Sequence, residues 1–397
     1  MTYNFDKITQ RDNTNSVKYD LRKEYFGKED VLPLWVADMD FETPDFIREA
    51  IIKRAEHPIY GYTVRKDSFY NSIISWMGRR HDWKVEKDWI SFSPGIVPAL
   101  NMCVLGFTEP EDKILIQPPV YFPFFRAVKD HDRTLLENVL VYDNDHYRID
   151  FDDFEKKARE AKVFILCHPH NPVGRLWDHQ ELSRMVEICK KNNVIIFSDE
   201  IHSDLILTER KHIPLLNIPG ADEITVSMYA PSKSFNLAGL STSFLIIPDK
   251  KLKLRYDRTI DNLHMGMGNV FGNVALEAAY NEGEEWLKQV LEYIAENIDF
   301  LGDFLKNMIP EIKPIVPEAT YLVWLDCKAL KLNDEELKNF MINSAGLGLN
   351  HGPVFGKGGE GFQRINVATP RRLLQEALTK LEKAVKELRQ MKHTSSN

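Results

Sequence analysis

Cysteine is scarce in this chain: Cys103, Cys167, Cys189 and Cys327 are the four in 397 residues, and none forms a CxxC pair. So few thiols in so long a chain exclude a disulfide scaffold. No run of about 18 apolar residues occurs, so no membrane-spanning helix is expected. Basic runs are missing as well. Lys and Arg total 51 against 59 Asp and Glu, and the net charge of -8 gives no general attraction to nucleic acid or to an anionic membrane. The first residues, Met1 to Asp6, lack the basic and apolar regions of a signal peptide, which makes the cytoplasm the expected compartment. Internal repeats and low-complexity linkers are absent.

What is present is an ordinary globular composition, with 43% hydrophobic, 11% aromatic and 28% charged residues. At 397 residues the chain exceeds the size at which one core stops growing, so two domains are expected. The middle alternates short apolar runs with helical patterns. KILIQ (Lys113 to Gln117), VFILCH (Val163 to His168), VIIFSD (Val194 to Asp199) and TVSMYA (Thr225 to Ala230) read as strands. Between two of them, Asp178 and Glu181 have capping-box spacing. Leu182, Met185, Val186 and Cys189 then recur on one helical face. Such alternation predicts a mainly parallel sheet covered on both faces. After about residue 284 the pattern changes. Trp286, Leu287, Val290, Leu291, Ile294, Ile298 and Leu301 trace a long helix, and YLVWLD (Tyr321 to Asp326) a strand. A last helix is expected from Thr369 as N-cap and Pro370 at its first position, with the tail His393 to Asn397 disordered.

In open α/β sheets, ligands bind beyond the carboxyl ends of the strands. Those ends carry His168 to Asn171, Asp199 to His202, and Ser232-Lys233. Taken singly, each candidate has a plain explanation. Lys233 fits a solvent-exposed loop lysine, Asp199 a helix N-cap, and Asn171 an Asn-Pro turn. Tyr121 fits a buried aromatic, Gly95 a Pro-Gly turn opening a helix, Tyr62 a loop tyrosine, and Arg364 a surface arginine in a strand.

The order of the blocks is more specific than any one of them. Asn171 in CHPHNPVGR, Asp199 in FSDEIH and Lys233 in APSKSFNLAGLS, together with SPGIV (Ser93 to Val97) and GFQRIN (Gly361 to Asn366), form an ordered set. This set resembles the pattern of the class I/II aminotransferase superfamily, fold type I, of pyridoxal-phosphate (PLP) enzymes. The blocks extend over nearly the whole chain. WVADMDF (Trp35 to Phe41), YGYT (Tyr60 to Thr63), EATYLVWLD (Glu318 to Asp326) and FGKGGEGFQRIN (Phe355 to Asn366) narrow the resemblance. They are similar to the carbon–sulfur lyase branch, which holds the cystathionine β-lyases of the MalY/PatB type.

The resemblance implies an α/β fold with a large PLP-binding domain at residues 49–290. A smaller domain at 291–397 is completed by residues 1–48, and the homodimer's active site uses both subunits. It implies PLP held by Lys233 as a Schiff base, with Asp199 keeping the pyridine nitrogen protonated. Asn171 meets the ring's phenolic oxygen, Tyr121 stacks on the ring, and the N–H groups of Gly95, Ile96 and Val97 cradle the phosphate at a helix N-terminus. Tyr62 reaches the phosphate of the neighbouring subunit. Arg364 grips the substrate α-carboxylate bidentately. Lys233, Asp199 and Tyr121 make the catalytic set.

Three positions depart from the aminotransferase pattern. His202 stands where a tyrosine is common, Ala230 replaces a phosphate-binding serine, and Ser241 replaces a phosphate-binding arginine. Ser232, Ser241 and backbone groups then have to hold the phosphate. The implied reaction is β-elimination of L-cystathionine or a related L-cysteine S-conjugate to thiol, pyruvate and ammonia. An amino-acid aminotransferase is the alternative. A non-catalytic PLP-sensing regulator is disfavoured, since no helix-turn-helix segment precedes WVADMDF. Two motifs mislead. Gly356 to Gly361 satisfies GxGxxG but precedes a strand-like FQRINVA, the reverse of a dinucleotide site. Cys167, His168 and His170 have no second ligand pair at metal spacing.

Overall fold

The apolar runs of the middle segment become seven strands: β1 (Ile90–Ser93), β2 (Lys113–Ile116), β3 (Thr134–Glu137), β4 (Val163–Cys167), β5 (Ile195–Asp199), β6 (Thr225–Tyr229) and β7 (Ser243–Ile246). They form one sheet in the order β1-β7-β6-β5-β4-β2-β3 in the computed structural model, which describes residues 2–394. From β6 to β3 every neighbour is parallel, and β7 runs antiparallel to both β6 and β1. Each of the four strands read from the sequence is present; β2, β4 and β6 end one residue short of the apolar run, and β5 starts one residue into its run and ends with it at Asp199.

Alternate residues of β4 serve two cores, as a period of two requires. Val163, Ile165 and Cys167 pack with the helix Ile96–Phe107 (α3), after Asp45–Ala55 (α1) and Asp67–His81 (α2). Phe164 and Leu166 pack on the other side with Leu182, Met185, Val186 and Cys189 of α4 (His179–Lys191). The α4 capping box forms as spaced: Asp178 Oδ1 accepts from Glu181 N at 2.8 Å, and Glu181 Oε2 accepts from Asp178 N at 2.9 Å.

Beyond the sheet, α5 (Val270–Glu282) packs on α1 and α2, and α6 (Glu284–Met308) is the long helix read from the stripe. Its Trp286, Leu287, Val290, Ile294 and Leu301 are buried. A second, antiparallel sheet has the order β8 (Lys313–Ile315), β9 (Leu322–Asp326), β11 (Phe362–Asn366), β10 (Asn350–His351). Leu32–Pro33 pairs in parallel with Leu347–Gly348, which draws the N-terminal segment onto this second sheet. The last helix, α7 (Arg371–Thr394), departs from expectation at both ends. Pro370 rather than Thr369 supplies its first accepting carbonyl, to Leu373 N and Leu374 N, and the Thr369 hydroxyl is buried without a partner. His393 and Thr394 continue the helix instead of starting a disordered tail, of which residues 395–397 lie outside the described residues.

The GxGxxG stretch is a loop leading into β11. A Cβ on Gly352 would lie 1.9 Å from the Gly359 carbonyl, so close backbone approach within this loop demands glycine. Among the described residues, no helix is long and apolar enough to cross a membrane.

Candidate active site

A cavity of about 300 Å³ opens at the carboxyl ends of β4, β5 and β6, where the sheet's parallel strands deliver their most polar residues. Asp199, Lys233, Asn171, Tyr121, His202, Ser232 and Ser241 all line it, as do Gly95, Ile96 and Val97. Strand geometry brings together residues that are 146 positions apart at the extremes of Gly95 and Ser241.

Asp199 ends β5 and is 4% exposed. Its Oδ1 accepts from Ile201 N at 3.1 Å. Burial pushes its carboxyl up to about 7, against that hydrogen bond and the nearby Lys233 charge. Lys233 lies in the turn after β6, and its Nζ donates to the Ala37 carbonyl at 2.6 Å. Burial brings its ammonium down to about 8, with Asp38 and Asp199 opposing and Arg364 adding to the shift. Burial, then the Asp199 charge, raises the Tyr121 hydroxyl to about 12, so it is a neutral donor at physiological pH. His202 is held well below its ordinary value by burial, and its buried Nδ1 has no partner.

Helix α3 begins at the cavity. Gly95, at φ 156°, is its N-cap residue, and no side chain caps the helix. Its first turn contains no acidic residue either, so the open N–H groups and the positive end of the helix dipole face the cavity uncompensated. Lys233 is the only lysine or arginine among the described residues lining the cavity. Ala230 is buried at the end of β6 and takes no part in the lining, whereas Ser241, at φ 45°, and Thr242 beside it do.

Arg364 is not a surface arginine. It projects from β11, is 3% exposed, and forms no ion pair with a carboxylate among the described residues. Nη1 donates to Asn171 Oδ1 at 2.9 Å, while Nη2 donates to the Trp35 carbonyl at 3.0 Å and to Asn350 Oδ1 at 2.5 Å. Its Nε is buried without a partner, and desolvation lowers the guanidinium to about 10. A buried cation with only neutral acceptors leaves a place for an anion.

Tyr62 is apart from this group: it is 95% exposed and does not line the cavity of its own chain. Ile59, Tyr60 and Val64 of the same segment are exposed too, as are Met265 and Met267, to which Arg65 ties it through the Gly266 and Met267 carbonyls.

Residue-by-residue reasoning missed the strap formed by WVADMDF. Its carbonyls, not its side chains, do the positioning. Ala37 O accepts from Lys233 Nζ and, at 3.0 Å, from the Tyr321 hydroxyl; Asp38 O and Val36 O accept from Asn366 Nδ2 at 2.7 and 2.8 Å. The strap is anchored by Asp40, which pairs with the fully buried Lys18 at 2.8 Å and with Arg11 at 2.7 Å. Any residue type offers such a carbonyl, so only the block's resemblance marked it. The two histidines of CHPHNPVGR turn away to backbone carbonyls, His168 Nε2 meeting Ile213 O at 3.0 Å and His170 Nε2 meeting Pro119 O at 2.9 Å.

The unsatisfied groups define what fits. A buried carboxylate wants a donor, an amine of lowered basicity stands nearby, an uncapped helix end wants an anion, and Tyr121 offers a flat face. Together these fit pyridoxal phosphate: a ring nitrogen for Asp199, an aldehyde for Lys233 and a phosphate for α3.

Comparison with known proteins agrees. The family model "Aminotransferase class I and II" matches residues 29–381. Cystathionine beta-lyase PatB of Bacillus subtilis is 42% identical over 96% of this chain and 100% of its own length. Among solved structures, cystalysin of Treponema denticola, which contains pyridoxal 5'-phosphate, superposes with a TM-score of 0.94 at 36% identity, covering 98% of this chain and 100% of that one. The PLP-bound C-S lyase of Staphylococcus hominis gives 0.91 at 35% identity, covering 97% and 98%.

Proposed function

Because this chain belongs to the aminotransferase class I and II family, we propose that it is a PLP-dependent carbon–sulfur β-lyase, converting L-cystathionine or a related L-cysteine S-conjugate to a thiol, pyruvate and ammonia. The observation that carries the reading is the meeting of Lys233 and Asp199 in one cavity, next to a buried Arg364 that has no carboxylate partner among the described residues.

When bound, the cofactor supplies an electrophilic carbon for the substrate's amine and a protonated ring that takes up the electron pair left at Cα. Lys233 would hold it through Nζ, and its amine would take the proton from the substrate Cα. Its lowered basicity suits both tasks, since a neutral amine is needed for each. Asp199 would hold the ring-nitrogen proton, and the Asn171 amide nitrogen would donate to the ring oxygen, while its carbonyl accepts from Arg364. Arg364 binds the α-carboxylate and thereby orients the Cα–H bond toward Lys233. Tyr121 and His202, which line the cavity, would hold the ring, Tyr121 by stacking. The N–H groups of Gly95, Ile96 and Val97, with the hydroxyls of Ser232 and Ser241, hold the phosphate in place of an arginine.

The chain works as a homodimer in the cytoplasm. The exposed Ile59, Tyr60, Tyr62 and Val64 support an interface there, with Tyr62 completing the partner's phosphate site. Residues 1–48 and 291–397 act as a smaller domain against residues 49–290, with the joints inside α1 and α6.

Purified holoenzyme incubated with L-cystathionine tests the reading. Pyruvate should form without any added keto acid. A strict requirement for a keto acid, with a new amino acid as product, would identify an aminotransferase instead.

A further inference from the structure

We propose that Asp204 is a positioning residue for Lys233: through the Ser234 hydroxyl it fixes the turn that carries the lysine, and so sets where Nζ stands relative to Asp199. This rests on the reading of Lys233 as the residue that takes the cofactor.

The loop after β5 has Asp199 at its start and Asp204 near its end, and it is tied within itself. Ile201 N donates to Asp199 Oδ1 at 3.1 Å, Ser203 N to the Glu200 carbonyl at 3.0 Å, and Leu205 N to the His202 carbonyl at 2.9 Å. Asp204 is buried, and three residues of α2 grip it. Trp76 Nε1 at 3.2 Å and His81 Nε2 at 3.0 Å meet its Oδ1, and Arg80 Nη2 donates to its carbonyl at 3.1 Å. The remaining oxygen, Oδ2, accepts from Ser234 Oγ at 2.9 Å. Ser234 follows Lys233 directly and is fully buried.

The other side-chain hydrogen bonds of the lysine turn, among the described residues, all lead to the strap. Lys233 Nζ donates to the Ala37 carbonyl, and Asn236 bonds the backbone of Met39 and Phe41. Asn366 of β11 holds that strap, so Ser234 alone registers the lysine against the loop that carries Asp199.

Stability does not account for a carboxylate at this place. Its surroundings are aromatic: Trp76 stacks on Tyr280 with ring centroids 5.0 Å apart and lies 5.7 Å from Phe235. An apolar side chain of like size would avoid the cost of desolvating a charge there. Burial alone would raise the Asp204 carboxyl, but the hydrogen bond and charge of His81, then Arg80 and the Ser234 hydroxyl, hold it below its ordinary value. It is therefore an anion. Hydrogen bonds to an ionised acceptor are short and strong, which suits the placing of Nζ better than the filling of space.

The test reads cofactor loading, in which Lys233 Nζ bonds the aldehyde carbon of PLP and one water leaves. Its rate is the growth of the visible band on the full-length apoprotein above pH 8, where the lysine amine is neutral. Ser234→Ala removes one hydroxyl and should slow loading by about 10- to 100-fold, the worth of one hydrogen bond to a charged group. The pH midpoint of loading should stay where it is, because the charges facing Nζ are unchanged. On the holoenzyme kcat should fall with it while KM stays within about twofold, since Arg364 is held by other residues. Asp204→Asn, whose amide is a neutral partner, should slow loading too. The double variant should be no slower than Ser234→Ala, because both changes act on one bond. A lowered melting temperature with an unchanged loading rate in Ser234→Ala makes Asp204 a structural residue only and overturns the proposal, as do additive losses of rate in the double variant. Should Asp204→Asn fail to fold, Ser234→Ala decides alone. A covalent visible band that still forms in Lys233→Ala overturns the reading of the lysine instead.

Discussion

The strand-end half of the site and the segment around Tyr62 are built in opposite ways. At the strand ends three functional side chains are held by buried contacts within one chain: Asp199 by Ile201 N, Lys233 by the Ala37 carbonyl, Arg364 by Asn171, Asn350 and Trp35. Residues 59–66 have no regular structure and present four large apolar side chains to solvent. The first region has its geometry before any ligand or partner arrives, and only its charges are left unmatched. The second has matched neither its apolar surface nor its tyrosine. A single chain thus specifies where chemistry happens and leaves open what closes the site.

Lys233→Ala probes that contrast most severely. Covalent attachment and turnover should disappear together, read as loss of the visible cofactor band and of pyruvate. Turnover that survives would remove Lys233 from the centre of the strand-end half. Asp199→Asn is next: the amide cannot hold a ring proton, and the rate should fall by about 100- to 1,000-fold with the circular dichroism unchanged. Single-turnover exchange of the substrate Cα proton reads the step directly, and an unchanged rate counts against the assignment.

The pH dependence of loading sharpens the comparison, because it concerns the strand-end half alone. Only the neutral amine of Lys233 can attack the aldehyde, and its ammonium is held at about 8, below the usual lysine value. Binding of PLP to the apoprotein should therefore quicken by about tenfold per pH unit up to pH 8 and level off above it. A rate that keeps climbing to pH 10 would mean that burial of Lys233 is not felt in solution. The smallest effect is expected from Tyr62→Phe, a loss of about tenfold in cofactor retention if one hydrogen bond to the phosphate is removed. Co-refolding Lys233→Ala with a Tyr62→Ala variant should then restore up to about a quarter of wild-type turnover, since half of the sites in each mixed dimer are intact. No recovery would place Tyr62 outside the partner's site.

Much of this was legible in the residues. The capping box at Asp178 and Glu181, the helical stripe from Trp286 and the apolar runs of β2, β4, β5 and β6 are local patterns, and each appears where the spacing put it. Thr369 failed as a cap because its hydroxyl is buried and Pro370 supplies the carbonyl, a one-residue difference that propensity cannot resolve. Tyr62 could be singled out only through resemblance, since by itself it is one exposed tyrosine in a segment without regular structure.

By itself the sequence determined the class of fold and the order of the blocks that carry chemistry, because hydrophobic period and turn chemistry act over a few residues. Tertiary structure decided which of those blocks touch. Asn171 reaches Arg364 across 193 positions, and Lys233 meets the Ala37 carbonyl across 196. No local pattern encodes such pairings. The backbone carbonyls of the strap also carry no residue identity to read, so their role emerges only when the second sheet brings them against the first.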